Sequence, residues 1–566
     1  MSLIDWIVLA AFLGFVVIYG TWKTRKTKDV DSYIRAGRSS QWWIVALSIM
    51  ATQASAITFL STPGQAYVDG MRFVQFYLGL PIAMVILSVT AVPLYNKLNV
   101  YTAYEYLEKR FDLKNRMLGS ALFLTQRGLA AGFTIYAPAL ILSVILGWEI
   151  NSTIIGVGIM VIIYTTIGGT NAVNKTHFLQ MIIITTGMFS AFVLLFLMLP
   201  ENVSFFDAVS VAGKMGKLNA IDFTFDLSNR YTFWSGIIGG TFLMLSYFGT
   251  DQSQVGRYLS GSSVAQSRLG LLTNGIVKVP MQFIILFIGA MVFVFYQFAT
   301  PPMFFNPVEV DNVKNSKYKN EYREIESKYK SIFAEKINDL NNLITSIEVG
   351  DENQVSGIAN EVIKKENEAA ELRGDAIELI KKANPDADTN DTNYIFLSFI
   401  INFLPVGIIG LLIAAILSAS MSSTSAELNA LASTSVIDFY KRLINKNATD
   451  KHYLGVSKLA TIFWGGYAII FALFAQQLGS LIEAVNILGS LVYGTILGIF
   501  LTAFYLKRVK GTATFIAATI AECAVLYCYF FTDIPFLWYN VIGCLLVIII
   551  AILLSLVLSK KIAKTS

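Results

Sequence analysis

Apolar residues run along this chain in blocks of about twenty, the length a helix needs to cross a hydrocarbon core of roughly 30 Å. Each block is bounded by charged or turn-rich stretches. Thirteen such spans lie near 3–23, 42–70, 73–95, 118–147, 151–167, 178–199, 231–257, 268–298, 394–430, 455–475, 480–505, 511–530 and 536–558. The pattern predicts an all-α integral membrane protein with thirteen transmembrane helices. The first span, Leu3 to Trp22, is followed by no small-residue cleavage site, so it is expected to remain as a helix.

Composition agrees, because 55% hydrophobic and 14% charged residues over 566 positions exclude an ordinary soluble protein. Lys and Arg cluster in alternate loops, at Lys23 to Arg38, Lys97 to Arg116, Lys441 to Lys451, Lys507 to Lys510 and the tail, whereas 148–150, 476–479 and 531–535 carry none. The positive-inside rule then places the N-terminus outside and the C-terminus in the cytoplasm of a cell-membrane protein. The three cysteines, Cys523, Cys528 and Cys544, fall in late apolar segments and read as buried thiols.

Residues 307–393 break the pattern with 12 Lys/Arg against 19 Asp/Glu, a net of −7, which leaves +12 on the rest. The basic balance therefore belongs to the cytoplasmic face and is no nucleic-acid signal. Apolar positions recur every three or four residues from Tyr318 to Ile347 and from Val355 to Leu379, on either side of Gly350-Asp351. This predicts an extracellular antiparallel helical hairpin with its own seam, serving as a solvated spacer or as a partner or gating element.

Two spans are interrupted by polar residues at mid-depth. Span 2 carries Ser48, Thr52, Gln53, Ser55 and Thr58 before Pro63-Gly64, and span 7 contains Gly249-Thr250-Asp251-Gln252-Ser253-Gln254. Being an odd number of spans apart, they cross in opposite directions, the layout of an inverted-repeat transporter whose broken helices expose backbone groups at the midplane. Ser422 and Ser423, adjacent hydroxyls in the apolar run of span 9, need partners at bilayer depth. A small cation such as Na⁺ provides one, and a carbonyl one turn earlier provides another.

Arg127 on span 4 and Lys278 on span 8 are intramembrane cations, which are costly unless they face a cavity or a partner. Arg127 offers bidentate hydrogen bonds to a solute carboxylate or snorkels to the cytoplasmic edge. Lys278 meets a solute or neutralises Asp251. The default solute lining is Gln53, Ser55, Thr58, Asp251, Gln252 and Gln254, with Phe59, Phe76, Tyr77 and Tyr136 to cover the ligand. A small organic anion, either a monocarboxylate or a sugar acid, is favoured over a neutral sugar or vitamin. Two histidines, no HExxH, no CxxC and no GxxxxGK[ST] loop leave neither an enzyme nor ATP drive. A transporter-like sensor would carry an appended signalling domain, and only a few residues follow Leu558.

The chain resembles the sodium/solute symporter family through Tyr33-Ile-Arg-Ala-Gly-Arg-Ser-Ser-Gln-Trp-Trp, Tyr247-Phe-Gly-Thr-Asp-Gln-Ser-Gln-Val-Gly-Arg-Tyr-Leu and Ser422-Ser-Thr-Ser-Ala-Glu-Leu-Asn through Asp438-Phe-Tyr-Lys. Stretches such as Ser55-Ala-Ile-Thr-Phe-Leu-Ser-Thr-Pro are similar to its monocarboxylate, multivitamin and iodide branch. The resemblance implies a LeuT-type inverted-repeat core of spans 2 to 11. The implied division is 1–41 (first helix and loop), 42–200 (first five-helix repeat), 201–306 (start of the second), 307–393 (insert), 394–505 (rest of the second) and 506–566 (two last helices and tail). It implies Na⁺ as coupling ion with no other cofactor, held by the carbonyls of Ala51, Ala54 and Ala419 and the hydroxyls of Ser422 and Ser423. The expected partners are Na⁺, a small organic solute and the lipid bilayer, with no obligate protein partner. Two departures stand out. His177 occupies the region where many relatives carry an aspartate near the sodium path, so it either makes transport pH-sensitive or faces the inner vestibule. Gly256 stands where relatives usually have glutamine.

Overall fold

The computed structural model describes residues 1–24, 40–53, 55–98, 100–475 and 479–562, with the side chains of 16–24, 167–179 and 558–562 left out. The protein is helical, and the described β-structure is a single bridge between Ser40 and Gly261. Among the described residues nine helical stretches are long and apolar enough to cross a bilayer, accompanied by the shorter apolar helices Leu3–Phe15, Trp42–Gln53, Ile150–Thr166 and Thr392–Phe403.

In chain order the helices are α1 (Leu3–Thr24), α2 (Trp42–Gln53), α3 (Ala56–Asp69), α4 (Leu80–Val89), α5 (Ala91–Leu98), α6 (Tyr104–Arg110), α7 (Leu113–Leu146), α8 (Ile150–Leu197), α9 (Phe205–Lys214), α10 (Gly240–Thr250), α11 (Gln252–Tyr258) and α12 (Val264–Phe298). The insert contributes α13 (Pro307–Lys314), α14 (Lys319–Val349) and α15 (Glu352–Ala383). After it come α16 (Thr392–Phe403), α17 (Ile408–Thr434), α18 (Asp450–Ala475), α19 (Leu481–Tyr505), α20 (Gly511–Phe531) and α21 (Phe536–Ile562).

Span 2 divides into α2 and α3, and span 7 into α10 and α11. Ser40, at the start of α2, bonds to Ser260 and Ser262, just beyond the end of α11. These ends share one face of the molecule, so α2 runs away from that face while α11 runs toward it, which is the antiparallel relation expected of inverted repeats. At the opposite face, Tyr67 near the end of α3 packs on Phe305 beside the insert.

One expected span is corrected. Span 9, expected over 394–430, is two helices: Pro405 has no N–H to donate and Gly407 takes φ +90°, so the chain breaks between α16 and α17. Spans 5 and 6 fall within the single element α8, yet both of its ends meet the insert side. Asn151 lines a cleft with Glu309 and Asn384, and just past the other end Asn202 Nδ2 donates to Asn341 Oδ1 at 3.2 Å.

α17 is buried along almost its whole length, against α1, α2, α3, α7 and α8. Its first turn is capped from another helix, because Asp5 Oδ1 on α1 accepts from Gly407 N at 2.6 Å and Gly410 N at 3.1 Å. A buried carboxylate there satisfies orphan donors and suits the positive end of the helix dipole. At the other end of this segment, Asp438 is held by Thr102 Oγ1 and Arg116 Nε, both at 2.8 Å, and Arg116 and Arg442 share Glu108. This lock ties three elements together at the face opposite the insert.

The insert is the expected hairpin, turning at Gly350 (φ +79°), with Asp351 accepting from Asn353 N and Gln354 N at the start of α15. Its seam is not self-contained as expected. Tyr322, Tyr329 and Phe333 close on Ala369, Ala376 and Leu379, but Leu340, Leu343, Ile344, Val355 and Val362 join the main hydrophobic core. At the base Arg373 pairs with Asp391, whose other oxygen accepts from Phe305 N at 2.7 Å.

Beside that pair, burial pushes the Asp388 carboxyl up to about 7, with Asp391 and Glu309 adding to the rise against an opposing hydrogen bond from Asn390 N. An acid whose folded pKa is raised binds its proton more tightly when folded. Its ionisation therefore erodes stability as pH climbs from the ordinary carboxylate range through about 7. Asp388→Asn should raise the unfolding temperature at pH 8, and the gain should shrink at pH 5. Thermal unfolding of the purified protein at the two pH values checks this.

Candidate solute and sodium sites

A cavity of about 100 Å³ opens beside the break between α2 and α3, and its wall residues Arg127 and Tyr493 bond to Asp251 at the other break. α2 stops at Gln53, and Thr58 Oγ1 in the first turn of α3 donates back to the Gln53 carbonyl at 2.9 Å. In the second repeat Asp251 takes an extended conformation (φ −76°, ψ 119°) between α10 and α11, and its side chain accepts from Ser253 N at 2.9 Å. The carbonyls freed at the end of α10 go to tyrosines from elsewhere: Tyr95 Oη donates to Gly249 O at 2.8 Å and Tyr104 Oη to Thr250 O at 2.9 Å. Such a break is tolerated at bilayer depth because its backbone groups are re-satisfied or line a cavity.

Of the residues expected from sequence, Gln53, Ser55, Thr58, Phe76, Tyr77, Arg127 and Lys278 line this cavity together. The rest lie elsewhere. Phe59 lines an apolar cavity with Met181, Met188 and Phe287, and Tyr136 lines the outer cleft with Glu309 and Asn384. Gln252 spends its amide on Ala103 N (3.1 Å) and Tyr101 O (2.9 Å). Gln254 donates to Tyr247 Oη at 2.7 Å, and Asp251 sits behind the wall, bonded to Arg127.

Arg127 does not snorkel. Its side chain, 3% exposed, lies between two carboxylates. Nε donates to Asp251 Oδ2 at 3.1 Å and Nη2 pairs with the same oxygen, while Nη1 donates to Glu427 Oε1 at 3.0 Å. Nη2 also reaches Tyr493 Oη at 2.8 Å, and that hydroxyl donates onward to Asp251 Oδ2 at 2.9 Å. Thr134 Oγ1 lies 3.0 Å from Glu427 Oε2. Four of the five guanidinium N–H groups are thus spent on the protein. The network joins α7, the α10–α11 break, α17 and α19.

Lys278 is placed differently from the expectation that it neutralises Asp251. It is 1% exposed, lines the cavity, and makes no ion pair or hydrogen bond among the described residues. One turn earlier on α12, Asn274 Oδ1 accepts from Gln53 Nε2 at 3.3 Å, so α12 presents an amide and an ammonium to one wall.

Sequence reasoning missed Glu427, Thr134, Tyr247, Asn486 and Tyr493, which also line the cavity. Glu427 was visible in principle: a carboxylate within an apolar span calls for a partner, and Arg127 was the available cation. Tyr493 carries no comparable signal.

For sodium, Ala51 lies in the last turn of α2, where carbonyls lack helical partners, and Ala419, Ser422 and Ser423 lie on α17, which packs against α2 and α3. Ala54 falls outside the described residues, as does the side chain of His177. Ser423 Oγ donates to Ser420 O at 3.1 Å, the back-bonding expected of hydroxyls in helices, and retains its lone pairs. Ser422 Oγ, by contrast, is buried without a partner among the described residues. A buried hydroxyl without a protein partner suits a small cation.

Arg127→Met would leave Asp251 and Glu427 buried without their counter-charge, which costs ~3–5 kcal/mol. Thermal or denaturant unfolding in detergent should show that loss, and adding Glu427→Leu should recover part of it, because the two residues act as a unit.

The model of the Sodium:solute symporter family matches residues 33–321 and 376–520, on both sides of the insert. The sodium/sialic acid symporter NanT of Aliivibrio fischeri is 24% identical over 97% of this chain and 92% of its own length. The human sodium-coupled monocarboxylate transporter 1 is 34% identical over 47% of this chain and 43% of its own length, and the human sodium/iodide cotransporter is 31% identical over 48% and 42%. A solved structure of a Na⁺-coupled sialic acid symporter superposes with a TM-score of 0.73 at 22% identity, covering 98% of each chain, so the fold is LeuT-like. Its relatives are sodium-coupled transporters rather than enzymes. The chain belongs to the sodium:solute symporter family.

Proposed function

We propose that this protein imports a small organic anion, a monocarboxylate or sugar acid, together with Na⁺ by alternating access. The insert faces outside and the Lys/Arg-rich loops face the cytoplasm of the cell membrane, as the positive-inside rule places them. The observation that carries the substrate class is the Lys278 ammonium, buried at the cavity wall with no protein counter-charge among the described residues. An unpaired buried ammonium costs several kcal/mol, and an incoming carboxylate removes that cost. Arg127 is the other cation, but Asp251 and Glu427 already hold it. The named relatives include carriers of sialic acid, monocarboxylates and iodide, which are all anions.

Gln53, Ser55, Thr58 and Asn486 supply polar contacts to the solute body, and Phe76 and Tyr77 cover it. Na⁺ is coordinated by Ala51, Ala54, Ala419, Ser422 and Ser423, all neutral oxygens, so the ion is held without a fixed charge to trap it. Charge balance supports simultaneous loading, since one Na⁺ and one monovalent acid enter without changing the net charge of the site.

Uptake into proteoliposomes under an imposed Na⁺ gradient, screened across pyruvate, lactate, sialic acid, neutral sugars and vitamins, tests the reading. Sodium-dependent uptake of an acid is expected, and uptake of a neutral sugar alone would contradict it. Ser422→Ala and Ser423→Ala should each raise the Na⁺ concentration for half-maximal uptake while leaving solute affinity at saturating Na⁺ largely intact. Unchanged sodium dependence in both would remove the sodium assignment.

A further inference from the structure

Directly beyond the Arg127 network, toward the face opposite the insert, α11 and α17 enclose a second and smaller cavity of about 20 Å³, enough for at least one water. Gln252, Ser253, Gly256 and Arg257 line it from α11, and Asn429 and Ser433 from α17. On α17 its lining runs from Ala426, next to Glu427, to Ser433, five residues before the Asp438 lock. It therefore lies on the line from the central cavity to the locked face.

Two independent features set it apart from a packing flaw. Asn429 is 7% exposed, and neither its amide oxygen nor its nitrogen has a partner among the described residues. Leaving one such group unmatched costs ~1–3 kcal/mol, so an amide with both ends unmet points to an occupant. Gly256 is the second feature. A Cβ built there would meet only the Gln252 side-chain nitrogen, at 3.8 Å, so the side chain missing from this position is itself what leaves the space open.

We propose that this chamber is a second, transient station for the transported anion, occupied after it leaves Lys278 and before the Asp438 lock opens. The solute carboxylate accepts from Asn429 Nδ2, and the Arg257 guanidinium, 4% exposed in the same wall, supplies positive charge. Ser433 Oγ, which donates to Ala430 O at 2.9 Å, offers only lone pairs, so the Asn429 amide provides the donor. The chamber widens to admit the rest of the solute as α11 and α17 separate. The proposal rests on the anion reading above.

The experiment compares Gly256→Gln, Gly256→Ala and Asn429→Leu with the unaltered protein. It measures turnover of radiolabelled pyruvate or sialic acid, whichever the uptake screen selects, and equilibrium binding of the same acid at saturating Na⁺. Gly256→Gln fills the chamber and pairs Asn429, and Asn429→Leu removes the polar contact. Each should lower turnover about tenfold or more, a change of ~1.4 kcal/mol in barrier, with the dissociation constant within about twofold of the unaltered protein. Gly256→Ala should fall between. Retained binding shows that the variants are folded. If Gly256→Gln and Asn429→Leu turn over acid at the unaltered rate, with Asn429→Leu merely raising the unfolding temperature, the chamber is a structural void and the proposal is wrong. If binding falls in step with turnover, the residues belong to the central site and the separate station is likewise overturned. An unaltered protein that carries neutral sugar and no acid would instead overturn the anion reading, and this station with it.

Discussion

A buried guanidinium held between two buried carboxylates organises the middle of this protein. Arg127 comes from the long α7, Asp251 from the break between α10 and α11, Glu427 from α17, and the Tyr493 hydroxyl from α19 braces the arginine and Asp251 together. None of the three charges tolerates the interior alone, so each fixes the position of the others. The break at Asp251 persists because its side chain has a fixed partner and because Tyr95 and Tyr104 take up the carbonyls that the break frees. Without that knot, the midplane cavity would have no defined wall.

The same knot divides labour among the cations. A guanidinium that has spent four of its five N–H groups on protein is a structural part, and Lys278 is left as the charge facing the cavity. Glu427 stands four residues after Ser423 on a continuous buried helix, one turn away on the same face. The proposed sodium ligands and the anchor of Arg127 therefore move as one rigid piece. Any displacement of α17 that follows sodium binding reaches the cavity wall through an ion pair rather than through soft packing, a physical basis for coupling the ion to the solute.

Much of this was legible in the sequence because membrane chains are constrained so tightly. Blocks of apolar residues, the paired interruptions at spans 2 and 7 and the Ser422-Ser423 pair point to a broken-helix transporter, and α2 does end at Gln53 with α3 starting at Ala56, while the chain breaks again at Asp251. Boundaries failed where short-range chemistry overrode hydropathy: Pro405 and Gly407 split what reads as one long span. The hairpin's seam read as self-contained because periodicity reports which positions are apolar and not what covers them. The apolar positions nearest the turn pack into the main core. In the cavity, a list of polar mid-depth residues found seven lining positions but could not say which cation was paired. Pairing depends on the meeting of residues 124 and 300 positions apart, which no local pattern encodes.

The central claim is that Lys278, and not Arg127, reads the solute's charge. The most direct measurement is calorimetric binding, at saturating Na⁺, of an acid and its uncharged amide, lactate against lactamide or sialic acid against its carboxamide, to the unaltered protein and to Lys278→Met. A hydrogen bond to a charged group is worth ~1.5–3 kcal/mol, so the unaltered protein should prefer the acid by about tenfold or more. Lys278→Met should bind the two forms about equally. A preference for the acid that survives intact in Lys278→Met would contradict the account, because another cation, Arg127 first among them, would then be reading the charge.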